Sequence, residues 1–156
     1  MTEGVLTEGA AYELAQLNVA RLAAPIDSVQ LADFVAQLDA VNALAEAAPG
    51  FVWRLQDESG NATAVRPWAD DLIVNMSVWT SAAALRAYVF GAGHVDVLRR
   101  RRDWFVPMTG GHLVLWWVPA GHRPSLTEAR ERLDRLDREG PTAHAFTLRQ
   151  EFAAVE

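Results

Sequence analysis

Fourteen arginines, four histidines and a complete absence of cysteine and lysine limit this chain to imidazole, guanidinium, carboxylate, hydroxyl and amide chemistry. The densest such segment runs from His94 through Asp96, Val97, Leu98 and Arg99-Arg100-Arg101-Arg102 to Asp103-Trp104-Phe105. On a helix at about 100° per residue, Val97, Leu98, Trp104 and Phe105 span an apolar arc of roughly 120°, and His94 and Arg101 fall inside it. Arg99, Arg100, Asp96 and Asp103 fall mostly outside. A guanidinium turned toward a core is costly without an acceptor, so Arg101 needs a carboxylate, carbonyls or an anionic ligand. Two readings stay open. In one, Arg101 pairs with an internal acid such as Glu46 and His94 bonds a backbone carbonyl. In the other, both face a ligand. His94 is then a general base or an iron ligand, and Arg101, with Arg102 or Arg54, holds an anionic group.

A second set of polar residues lies in apolar runs. Asn75, Ser77 and Trp79 share one side of a period-2 pattern, as do Gln16 and Asn18. Amides and a hydroxyl among apolar neighbours need partners, which cross-strand hydrogen bonds can supply. Convergent polar groups in an apolar cavity are also what a small-molecule site looks like. Asn18 and Asn75 would then donate to negative charge developing on a substrate oxygen, with Trp79 and Trp53 packed on its ring system. Whether the two sets face one layer depends on strand register. His94, His112, His122 and His144 have no paired spacing suited to an all-protein metal site. No nucleophile elbow is present, and Gly91-Ala92-Gly93 reads as a hinge rather than a phosphate loop.

Composition removes other classes. Without cysteine there are no disulfides, thiolate nucleophiles or iron–sulfur clusters, and without lysine no Schiff base or Walker-type loop. A net charge of −6 argues against nucleic acid or an anionic membrane surface as partner, despite the Arg99–Arg102 run. No apolar stretch approaches a membrane span, so a cytoplasmic protein is expected. At 156 residues and 51% hydrophobic, the chain suits a single domain over residues 12–156 behind a flexible N-terminus at 1–11.

The elements that must position these groups follow from pattern. Residues 12–22 read as a strand. Asp27 and Gln30 form a capping-box pair for a helix carrying Leu31, Phe34, Val35, Leu38 and Val41, which Pro49-Gly50 ends. Phe51–Asp57 and Asp71–Thr80 read as strands two and three. Thr80 or Ser81 caps a short helix to about Phe90, and a second helical piece covers His94 to about Phe105. His112–Pro119 is the fourth strand, and Ser125-Leu126-Thr127-Glu128 boxes a helix that ends at Gly140-Pro141. Phe146, Leu148 and Gln150 alternate in a short closing strand. The order βαββαβ plus a C-terminal helix is the α+β, ferredoxin-like plan. Helices cover one sheet face. Because strands three and four are apolar on both sides, a second copy is expected to cover the other, making a homodimer.

The runs Tyr12-Glu-Leu-Ala-Gln-Leu-Asn-Val-Ala-Arg21, Pro49-Gly-Phe-Val-Trp-Arg-Leu55, Asn75-Met-Ser-Val-Trp79, Gly93-His94 with Leu98-Arg-Arg-Arg-Arg-Asp-Trp-Phe105, and Leu115-Trp-Trp-Val-Pro-Ala-Gly-His-Arg-Pro124 resemble a bacterial domain family of unknown function. That family is grouped with the dimeric α+β barrels, and the resemblance covers roughly residues 12–152. The superfamily is similar in plan to antibiotic-biosynthesis monooxygenases, which work without a cofactor, and to haem-degrading monooxygenases. The latter use an Asn on the first strand, a Trp on the third and a His on the following helix. Asn18, Trp79 and His94 stand in corresponding elements.

The resemblance implies an oxidoreductase with an apolar pocket between sheet and helices, taking a flat anionic substrate. Its catalytic residues would be His94, Asn18 and Trp79; the substrate-binding residues, taken from the helix and strand patterns above rather than from the resemblance, would be Arg101, Asn75, Ser77, Trp53 and Arg54. Either no cofactor is used, or haem with His94 axial. A non-catalytic barrel that binds a metabolite is the reading from a different class.

Overall fold

The computed structural model describes residues 11–58, 60, 62–91, 99–108 and 112–154. Its centre is β1 (Tyr12–Leu22), which pairs antiparallel with β3 (Leu72–Trp79) on one side and β5 (Leu113–Pro119) on the other. The four-residue β2 (Phe51–Arg54) lies outside β3, and the two-residue β4 (Phe105–Val106) extends the β5 side along the last residues of β1. The long strands therefore run β2-β3-β1-β5, all antiparallel, which is the ferredoxin-like order.

Period-2 alternation along β1 sends two different sets of residues to the two faces. Leu14, Gln16, Asn18, Ala20 and Leu22 face one way. Ala15, Leu17 and Val19 face the other, with Val74, Met76, Val78, Val114, Trp116 and Val118 from the neighbouring strands. The first face carries α1 (Ala32–Ala47) and α2 (Ala82–Val89), which touch it through Phe34, Ala45 and Leu85. The one-turn helix α3 (Arg101–Trp104) adds the fully buried Trp104 to the Leu22 end.

The second face is covered by the chain itself. Ala129, Leu133 and Leu136 of α4 (Leu126–Glu139) pack on it, joined by Val65 and Trp68 from the arm between β2 and β3. Val74, Met76, Val78, Val114, Trp116 and Val118 are all buried within one chain. A second copy is therefore not what covers this face, and the argument for a homodimer from a bare apolar face loses its ground.

Helix starts divide sharply. Ser125 Oγ accepts from Glu128 N at 3.0 Å and Ser81 Oγ from Ala84 N at 3.1 Å, as their sequences predict. The Asp27–Gln30 box does not form. Two turns occupy that stretch, α1 begins only at Ala32, and Gln30 donates instead to Asp103 O. The expected strand to Asp57 stops at Arg54. The closing strand shrinks to a bridge between Leu115 and Phe146 with local turn bridges around it. The expected helix to Phe105 ends a residue early, because Phe105 is already extended in β4.

Candidate functional site

Register decides the site. Gln16 stands directly opposite Ser77, and Asn18 opposite Asn75, so the two polar sets share the face under α1 and α2. Trp79 lies at one end of this row, opposite Leu14, and Ile73 follows Asn75 at the other. Each end merges into an aromatic cluster. Around Trp79, Tyr88 of α2 stacks at 5.2 Å between ring centroids and Phe51 of β2 meets it edge-on at 5.5 Å. At the Ile73 end, Phe34 packs on Trp104 at 5.3 Å and on Phe105 at 5.1 Å. Helix α1 reaches both clusters, through Phe34 and Ala45. Between them Asn18 and Asn75 are exposed, whereas Gln16 and Ser77 are each only 6% exposed.

The buried members are joined by hydrogen bonds. Trp79 Nε1 donates to Ser77 Oγ (2.8 Å), and Gln16 Nε2 donates both to Ser77 Oγ (2.8 Å) and to Asn75 Oδ1 (2.7 Å). Leaving such a donor unpaired in an apolar face costs about 1–3 kcal/mol, which the chain of bonds avoids. Asn18 makes no side-chain hydrogen bond among the described residues. At the other end of the face, the Trp104 indole nitrogen is fully buried with no hydrogen-bond partner among the described residues.

Arg54 stands opposite Ser77 on the same face, with its side chain 11% exposed. Its guanidinium is occupied: Nε pairs with Glu46 at 2.9 Å and Nη2 donates to Gly60 O at 2.6 Å. Glu46, considered as a partner for Arg101, therefore serves Arg54. Burial raises the Tyr88 hydroxyl above its usual pKa, with the nearby Arg54 charge opposing.

Two expected site residues, Trp53 and Arg101, are not brought together here. Trp53 lies on the opposite, α4-side face, opposite Val78 and packed on that core. A register shift between Phe51 and Trp53 inserts one residue into β2, so Phe51 rather than Trp53 meets Trp79. Arg101 is exposed, as is Arg102; α3 is a single turn that begins only at Arg101, with Arg100 outside helical geometry and Phe105 already extended, so the expected unbroken helix through Arg100 to Phe105 does not form. His94 lies outside the described residues, as do Val97 and Leu98. Arg100 is engaged by Asp33 at 2.9 Å and Asp103 at 3.1 Å, and its guanidinium sits 4.8 Å over the Trp104 ring. Both carboxylates hold its pKa above the ordinary value.

Sequence reasoning missed Tyr88, Phe51 and Trp104 as walls of the site, although Ser81 as cap already set the phase that turns Leu85 and Tyr88 inward. Hollows of about 440 and 510 Å³ lie at Trp68 with α4 and at Leu22–Asp27 with Arg66, and neither is lined by a residue of the row. Among the described residues no group of three His, Asp or Glu could hold a metal ion, and no helix is long and apolar enough to cross a membrane.

Residues 13–156 match a family described as a domain of unknown function, DUF3291. The chain belongs to that family. No curated protein matches this DUF3291 chain in sequence. Among solved structures it is similar to SnoaB, a cofactor-independent oxygenase from Streptomyces nogalater, at 21% identity and a TM-score of 0.43 over 76% of this chain and all of the other (100%). It is also similar to a Pseudomonas aeruginosa protein at 14% identity and a TM-score of 0.48, over 74% of this chain and 98% of that one. A protein of unknown function from Nitrosomonas europaea aligns at 16% identity and a TM-score of 0.46 over the same shares.

Proposed function

We propose that this DUF3291 protein is a small-molecule enzyme of the oxygenase kind, acting in the cytoplasm on a flat, anionic, phenol-like substrate with dioxygen as oxidant and no cofactor. The observation that supports this reading is the row Asn18–Asn75–Gln16–Ser77. It is an amide-rich, hydrogen-bonded strip in a largely apolar sheet face, bordered by the Arg54–Glu46 ion pair, flanked by aromatic clusters and exposed only at the two asparagines. A planar ring system would lie against the half-buried Tyr88 and Phe51 that cover Trp79, with its ionised oxygen over the Asn18 and Asn75 amides. The Asn75 donor, already held in place by Gln16, stabilises such a charge without reorganising, and a hydrogen bond to a charged group is worth about 1.5–3 kcal/mol.

The test is oxygen uptake with 1,8-dihydroxyanthrone, a flat phenolic probe. Uptake above the buffer rate is expected, falling about 100-fold in Asn75→Ala, the size of losing one preorganised donor. No uptake above buffer, or an unchanged rate in that variant, overturns the reading. A hemin titration is expected to leave the Soret band where free hemin has it. A shift that disappears in His94→Ala would establish the haem-binding alternative instead.

A further inference from the structure

The hydrogen-bond polarity of the row carries one step more, resting on the reading that the row faces a ligand. Indole nitrogen can only donate, so the Trp79–Ser77 contact commits a lone pair of the Ser77 hydroxyl. Gln16 Nε2 takes the second lone pair and, with its other hydrogen, the Asn75 carbonyl oxygen. Ser77 has thus filled both acceptor positions and retains only its proton. Asn75 has turned Oδ1 toward Gln16, which leaves its Nδ2 group, with two N–H donors, directed away from Gln16 on an exposed residue.

We infer that Gln16 is a positioning residue: it fixes the Asn75 amide so that the row presents donors, and so selects ligands by an acceptor oxygen, an ionised phenol, enolate or carboxylate, against ligands that offer N–H groups. Gln16 itself does this from beside the asparagines, at the buried next position of the same sheet face, and touches no ligand. An amide free to rotate at position 75 would accept or donate equally well and select neither.

Side-chain amide hydrogen exchange followed by nitrogen-15 NMR tests the orientation directly, with no ligand present. Slow exchange at Gln16 Nε2 and fast exchange at Asn75 Nδ2 are expected. The reverse pattern, or fast exchange at both, overturns the inference. Gln16→Met, of similar volume but without the amide, probes selection. For 1-hydroxy-2-naphthoate the affinity is expected to fall at least about tenfold, the size of one hydrogen bond to a charged group. Its advantage over 2-naphthylamine should shrink by the same factor while the Trp79–Ser77 bond remains. An unchanged preference between the two probes in a folded Gln16→Met protein overturns the inference. Failure of 1-hydroxy-2-naphthoate to bind the natural protein counts against the functional reading, and the exchange pattern still decides the role of Gln16.

Discussion

Ser77 is a small residue with an outsized part, because one hydroxyl answers both an indole and an amide in an apolar face. Its period-2 company, Asn75 and Trp79, was legible in the sequence, and so was the pairing of Gln16 with Asn18. Which of the many possible partners each would meet was not, since that depends on how two strands align. Tyr88 gives this cluster a measurable pH signature. Its hydroxyl is held protonated to higher pH in the folded protein than in the unfolded chain, so the unfolded chain releases the proton first. Stability from this source is complete below the ordinary tyrosine value of 10.0 and falls as pH rises through the raised one. Urea midpoints measured between pH 8 and 11 are expected to decline above about 10, and the decline should be shallower in Tyr88→Phe. Equal slopes in both proteins would show that Tyr88 does not titrate differently on folding.

At the scale of elements, the turn Pro49-Gly50 sets how α1 hands over to β2, and it does so by close approach. Gly50 has φ +86°, and a Cβ there would stand 2.4 Å from the Cβ of Ala84 and 2.7 Å from Thr80 Oγ1. Gly50→Ala combines strain with overpacking and is expected to cost about 1–3 kcal/mol in urea unfolding. A loss below about 0.5 kcal/mol, the size of an ordinary surface change, would mean that the turn relaxes freely. The same loop feeds the β2 register shift that turns Trp53 away from the site, a one-residue insertion with no signature in the residue types of Phe51-Val52-Trp53. Caps were readable where the side chain had one partner on offer, as at Ser81 and Ser125. At Asp27 the box was misleading, because Gln30 reaches a tertiary acceptor, Asp103 O, that no local pattern could announce. The inward Arg101 failed for a related reason: an angular projection holds only along an unbroken helix, and this one begins at Arg101, with Arg100 outside helical geometry.

For the molecule as a whole, the decisive fact is that α4 closes the second sheet face. Leu133 is 3% exposed in that seam, between Ala129 and Leu136 and over the β1–β5 core. Leu133→Ala is expected to cost about 2–5 kcal/mol, the range for emptying a filled core position, with an unchanged urea slope. A cost near zero would show that α4 is not the cover described. By itself the sequence determined the strand and helix order, the amphipathic face of α4 and the presence of amides in apolar strands, because period and capping are local properties. Only the tertiary structure decided that Gln16 meets Ser77 and Asn18 meets Asn75, that Trp53 leaves the site, and that the chain covers its own second face. Register, bulges and the docking of a helix on a sheet are set by contacts between segments far apart in sequence, and two apolar faces look the same in sequence whether a partner or the same chain will bury them.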